Sequence, residues 1–211
     1  MKYISIVLVF LLASMGSFAQ KAGFSAISNT SSLEQVLKNN AAASSTISSD
    51  FSQVKNMKML NDKVSSKGKF YFKKQDKVRI EYTSPFQYLL TMNGGMIAVK
   101  EGGKVSKINT RNSLAMQAVN RVMMDCMRGT VFTNKDFSVK AYGSSTQYLL
   151  VMTPITASVK GLFKTIDVYI EKKDTQVSQL VMTENGGDYT DMKFVNRKIN
   201  TPLADALFSI R

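Results

Sequence analysis

From Phe51 to Val195 the chain is built of short runs in which apolar and polar residues alternate, the period of half-buried β-strands. Lys69-Phe-Tyr-Phe-Lys-Lys74, Val78-Arg-Ile-Glu-Tyr82, Gln87-Tyr-Leu-Leu-Thr-Met92 and Met96 to Lys100 follow one another closely. Asn93-Gly94-Gly95 and Glu101-Gly102-Gly103 read as tight turns between them, and Ser84-Pro85 punctuates another connection. A second group covers Phe137 to Tyr142, Gln147 to Met152, Ile166 to Ile170, Val177 to Met182 and Tyr189 to Val195, with a turn at Asn185-Gly186-Gly187. Counting the segment after Phe51 and the tail near Phe208, the pattern predicts roughly ten or eleven antiparallel strands, the size of a large curled sheet or barrel.

Two stretches change period. Ser31 and Glu34 form an S-x-x-E capping box, and Leu33, Val36 and Leu37 share one face of a helix running to about Ala43. Gln20 to Thr30 before it is polar and small, a loose start, and Ser44 to Asp50 after it is a transition into strands. A second helix is predicted over about Asn112 to Arg128, closed by Gly129. Met116, Val119, Met123 and Met127 form its apolar stripe, Ala115, Val122 and Cys126 widen it, and Gln117, Asn120, Arg121 and Asp125 lie opposite. Such a face is buried against the sheet or against a ligand. Gln87 to Met92 and Gln147 to Met152 share five of six residues, but their flanks differ, so they are two strands in similar environments and not a repeat.

Lys2, an apolar run from Tyr3 to Ala13 and small residues ending at Ser17-Phe18-Ala19 read as an export signal cleaved after Ala19. No cysteine stands at that site to carry a lipid. Removing nineteen residues from 211 leaves 192, and losing Lys2 takes 28 basic residues to 27 against 15 acidic, a charge of +12. The chain from 20 to 211 is therefore expected to be one exported, soluble domain. Its scattered lysines and arginines match no nucleic-acid-binding signature; a membrane surface, an acidic partner or plain solubility fits the charge.

The composition excludes much chemistry. There is no His, no Trp and one Cys, so no Ser-His-Asp or Cys-His pair, no His-ligated metal, no zinc cluster and no intrachain disulfide can form. Ser66-Lys67-Gly68-Lys69 matches S-x-x-K, but without its companion elements and with Gly68 where a helix would be required. The paired glycines are turn formers, and the acids do not converge. Neither an enzyme nor a cofactor or metal site is indicated. What the residues offer is apolar surface: Tyr88, Leu90 and Met92 on one face of their strand, Leu150 and Met152 on one face of theirs. Thirteen methionines, four of them between Met116 and Met127, fit either an adaptable binding surface or ordinary gap-filling in a core.

Three stretches together resemble the periplasmic outer-membrane lipoprotein carriers, the LolA family. Phe51-Ser52-Gln53 is like that family's F-x-Q strand after its first helix. Gly68 to Lys74, Val78 to Tyr82, Pro85 and the Met92-Asn-Gly-Gly95 turn are similar to its aromatic strand, its F-R-W-x-Y-like strand, its proline and its S-D-G-K turn. Leu180 to Phe194, then Asn200 and Phe208, look like its closing hairpin and N-x-x-L-x-x-x-x-F segment.

The resemblance implies a mainly β fold, an incompletely closed antiparallel barrel with helices forming a lid over a concave apolar face. It implies a monomeric, non-enzymatic carrier that shelters lipoprotein acyl chains between the inner and outer membranes. An inner-membrane ABC lipoprotein exporter and an outer-membrane acceptor would be its partners. A soluble carrier needs such a cavity, because exposing each methylene to water costs about 0.8 kcal/mol. The expected acyl-chain-binding residues are Phe70, Phe72, Val78, Ile80, Tyr82, Leu90, Met92, Leu150 and Met152. Met116, Val119, Met123 and Met127 would form the underside of the lid, and Phe163 would close the other end. Arg79 and Glu81 should face solvent. Lys74 matches a family arginine that latches the lid, and an ammonium lacks the planar fork of that guanidinium. The same fold also suits an envelope-stress sensor or a carrier of free lipid or glycolipid.

Overall fold

The computed structural model describes residues 21–109 and 114–209, without the side chains at 114–116, 118 and 119. The expected signal peptide, and the side chains of Met116 and Val119, therefore lie outside the described residues.

Twelve strands form one antiparallel sheet. β1 (Ser25–Ile27) precedes α1 (Ser31–Ala43). β2 (Thr46–Met57), β3 (Asp62–Lys73), β4 (Lys77–Ser84), β5 (Tyr88–Asn93), β6 (Met96–Glu101) and β7 (Lys104–Asn109) then meander into α2 (Leu114–Arg128). After it come β8 (Phe137–Gly143), β9 (Gln147–Pro154), the single-turn α3 (Ala157–Lys160), β10 (Thr165–Glu171), β11 (Val177–Thr183) and β12 (Tyr189–Ile199). The spatial order is β1-β8-β9-β10-β11-β12-β2-β3-β4-β5-β6-β7. The two meanders join where β12 pairs with β2, Phe194 opposite Phe51. β1 and β7 stay as open edges, so the curled sheet does not close.

The ten interior strands are those the alternation predicts. Its eleventh, the tail near Phe208, is instead a 3₁₀ turn, Asp205–Phe208. β7 and β1 complete the twelve. The first five residues of β7 are exposed and include two lysines, as suits an edge strand, and β1 has three residues. α1 has the expected bounds but a different start. Thr30 is already helical in its backbone, and the Asn29 side chain accepts from the Ser31 N–H at 3.1 Å. Glu34 pairs with Lys38 rather than closing a capping box. Leu33 and Leu37 are buried, whereas Val36 is turned to solvent.

Both helices lie in the trough of the sheet. One cluster joins Leu33 and Leu37 of α1 and Val122 of α2 to Phe137, Ala141, Leu150, Met152, Ile166, Val168 and Ile170. The other joins Met124 of α2 to Ile47, Phe51, Phe70, Phe72, Val78, Met92, Ile97 and Met192. Val122 and Met124 stand about 200° apart at 100° per residue, so α2 presses one flank against each half of the trough. That is why Met124, outside the expected stripe, is buried to 4%. Gly129, with φ of +69°, ends α2 where a Cβ would fall 2.5 Å from the Leu37 carbonyl oxygen. Only glycine lets the two helices meet this closely.

The convex face is strapped at both chain ends. Lys21 pairs with Asp167, and Phe24 packs edge-on against Tyr169. Asp205 bridges Lys73 and Lys77, Arg79 donates to the Leu207 carbonyl, Asn93 donates to the Phe208 carbonyl, and Phe208 is fully buried. Arg79 is thus not a solvated charge: the tail covers it.

Candidate ligand-binding face

Seven of the nine expected contact residues form one patch. Register sets Phe70 opposite Ile80 and Phe72 opposite Val78, then Ile80 opposite Leu90 and Val78 opposite Met92. Because side chains alternate across a strand, all point to the concave face, joined at one end by Tyr82 and Tyr88. Leu150 and Met152 belong to the other half, with 1% and 0% exposure beneath the helices. Phe163 packs at the border of that half.

The patch is graded. At the end where β3 turns into β4, Phe72, Val78, Met92 and Ile97 are buried with Met123, Met124 and Met127 of α2 against them. Towards the other end Ile80, Tyr82, Leu90, Val99 and Phe194 are only half-buried. The trough therefore has a covered floor and an open apolar mouth. Beneath the helices, a cavity between Leu37, Cys126, Met127, Leu150 and Ile170 measures about 30 Å³, room for one water. Anything larger than a water entering that space must displace α1 or α2.

Burial pushes the Cys126 thiol up to about 12, with Asp125 adding to the effect. Burial likewise raises Tyr82 and Tyr88 above the ordinary phenol range. Tyr82 donates to Gln53 Oε1 at 2.9 Å and meets the rings of Phe51 and Tyr88 edge-on, at 5.0 and 5.5 Å.

The ties of α2 are polar and peripheral. Arg121 Nε donates to Asp136 at 2.7 Å, and Asp125 accepts from Thr130 at 2.9 Å and Asn134 at 2.6 Å. Arg128 pairs with Asp76 in the β3–β4 turn. Lys74, the residue expected to latch the lid, donates to the Ala42 carbonyl at the end of α1. Among the described residues, the ion pair between α2 and this turn is Arg128 with Asp76.

The family model described as "Outer membrane lipoprotein carrier protein LolA" matches residues 42–211. The chain belongs to the LolA family. No curated protein sequence matches it. Among solved structures it is similar to an uncharacterized conserved protein from Thermus thermophilus, at 11% identity and TM-score 0.51, over 85% of this chain and 93% of that one. It also matches a LolA superfamily protein from Nitrosomonas europaea, at 12% identity and TM-score 0.47, over 83% and 97% of the chains. A third match is the Pseudomonas aeruginosa MucA/MucB complex, at 10% identity and TM-score 0.49, over 84% and 60%. LolA-fold proteins are carriers or binding proteins, and those of the LolA family are periplasmic. No described helix of this LolA-family protein is long and apolar enough to cross a membrane.

The motif residues of this LolA-family chain meet in space. Phe51 lies over Gly68, directly opposite it, where a Cβ would fall 2.8 Å from the ring and 2.0 Å from the Glu81 carbonyl oxygen. Gln53 holds Tyr82. Asn200 accepts from the Ser45 N–H at 2.7 Å and donates to the Ala43 carbonyl at 3.0 Å, fixing the tail to the end of α1. Ile97, Met124, Met192 and Phe194 complete the concave face and were not among the expected contacts. The alternation of β6 and β12 contained that signal for Ile97, Met192 and Phe194.

Proposed function

We propose that this protein is a periplasmic carrier that shelters the acyl chains of lipoproteins on its concave face and ferries them from the inner to the outer membrane. The observation that carries the reading is the graded trough: an apolar mouth open to solvent, continuing into a floor covered by a helix whose outer ties are polar. Reversible carriage requires apolar area for the chains and a cover whose closing competes with them. When cargo leaves, the methionine-rich α2 refills the floor, a task suited to unbranched side chains. On this reading the first nineteen residues direct export. An inner-membrane ABC exporter then loads the protein and an outer-membrane acceptor unloads it.

The test is to isolate the protein from the periplasm and identify by mass spectrometry what accompanies it, before and after detergent. Intact acylated proteins released by detergent are the expected result. Free lipid or glycolipid alone would replace the lipoprotein reading with lipid carriage. A protein without bound amphiphile would overturn carriage and favour the sensor.

A further inference from the structure

The β2–β3 hairpin exposes two large apolar residues at its tip. Met59 is 95% exposed and Leu60 71%. They sit in a 3₁₀ turn, Lys58–Leu60, closed by Asn61 in the left-handed region. The tip stands clear on its β3 side, since β4 pairs with β3 only as far as Lys67, while β12 flanks β2 as far as Asn56. It is nevertheless built: β2 and β3 pair out to Met57 opposite Asp62, and the Lys58 N–H donates to Asp188 at 2.9 Å. Lysines surround it. Between residues 55 and 67 there are four, Lys55, Lys58, Lys63 and Lys67, against Asp62 within the segment and Glu184 and Asp188 across the sheet, Glu184 pairing with Lys55 at 3.5 Å.

Strand direction places the β4–β5 loop, with Phe86 77% exposed, on the same rim. The mouth of the trough opens there too, because Ile80 and Tyr82 lie towards that end of β4 and Val78 towards the other.

We propose that this rim docks on an anionic phospholipid surface, with Met59 and Leu60 entering the headgroup boundary and the lysines pairing with lipid phosphates. Two adjacent solvent-facing apolar side chains on a hairpin paired to its tip gain by leaving water, and the surrounding lysines match a negative surface. A chain of net charge +13 adds long-range attraction. Docking in this pose aims the mouth at the bilayer. The inference stands on the tip itself and does not depend on what the trough carries.

The chain has no tryptophan, so Met59→Trp creates a single reporter. With vesicles of phosphatidylethanolamine and phosphatidylglycerol, its emission is expected to shift to the blue and the protein to float with the lipid. Neutral phosphatidylcholine vesicles, or raised salt, should weaken this. In otherwise unaltered protein, Met59→Ser with Leu60→Ser should reduce partition by about tenfold or more. The pair should leave the thermal midpoint and the binding of an apolar fluorescent probe in the trough unchanged, which separates docking from carriage. Flotation without a blue shift, equal binding to neutral vesicles, or no binding would overturn the proposal. So would a shift produced only by a protein extract.

Discussion

Val78 and Ile80 lie two residues apart on the same face of β4, and a carboxylate placed at each separates floor from mouth. Val78 has 0% exposure. Val78→Asp forfeits about 1.5–3 kcal/mol of apolar burial, and the buried carboxylate adds several kcal/mol more. The total approaches the roughly 5–15 kcal/mol of a whole domain, so this variant should be largely unfolded at neutral pH. Ile80 is half-buried and open to water at the mouth. Ile80→Asp gives up about half as much burial and keeps its charge hydrated, a cost of about 1–2 kcal/mol. At about 2–4 °C per kcal/mol, Tm should fall by roughly 2–8 °C. Its carboxylate nonetheless stands where an acyl chain would enter, so affinity for an apolar fluorescent probe should drop by about tenfold or more. Circular dichroism melting and probe titration read the two effects. Equal unfolding by both substitutions would mean that the mouth is ordinary core. Undiminished probe binding in Ile80→Asp would mean that ligands do not use this face.

Gly129→Ala imposes a left-handed backbone on alanine and a contact 2.5 Å from the Leu37 carbonyl, about 2–4 kcal/mol together, so Tm should fall by roughly 5–15 °C. The hydrogen bonds of Lys77 and Lys73 hold the Asp205 carboxyl below its ordinary 3.8. The folded state thus favours the ionised form, and this contribution, complete above 3.8, is lost as pH falls below it. Proteolytic release of the C-terminal tail should rise in that acid range, and Asp205→Asn should show the released behaviour already at neutral pH. Cys126, its thiol pushed up to about 12, should resist alkylation at about pH 8, and Arg128→Ala, which removes the pairing with Asp76, should accelerate the reaction. Equal alkylation rates would dissociate that ion pair from helix opening.

Much of the concave face was legible because register and alternation are local. Once β3, β4 and β5 follow one another through tight turns, Phe70, Phe72, Val78, Ile80, Tyr82, Leu90 and Met92 have to share a face. Two helices among strands were equally plain, since their apolar spacing departs from a period of two. The division of that face was not legible. Leu150 and Met152 alternate as cleanly as Leu90 and Met92, yet they lie under α1, because the long-range pairing of β12 with β2 decides which strands the helices cover.

By itself the sequence determined ten of the twelve strands, the bounds of α1, the presence of α2 and the family, all of which depend on neighbours in the chain or on motif order. Tertiary structure decided what depends on distant partners. Lys74 reaches α1 and leaves Arg128 to meet Asp76, because the β3–β4 turn lies between the ends of both helices. Met124 is buried because α2 lies in a trough and not on a flat sheet. The tail near Phe208 has the composition of a strand, but it crosses the convex face as a strap, where Lys73, Lys77, Arg79 and Asn93 already supply its hydrogen-bonding and charged partners. Composition and period describe what a segment can bury; only the assembled sheet fixes against what.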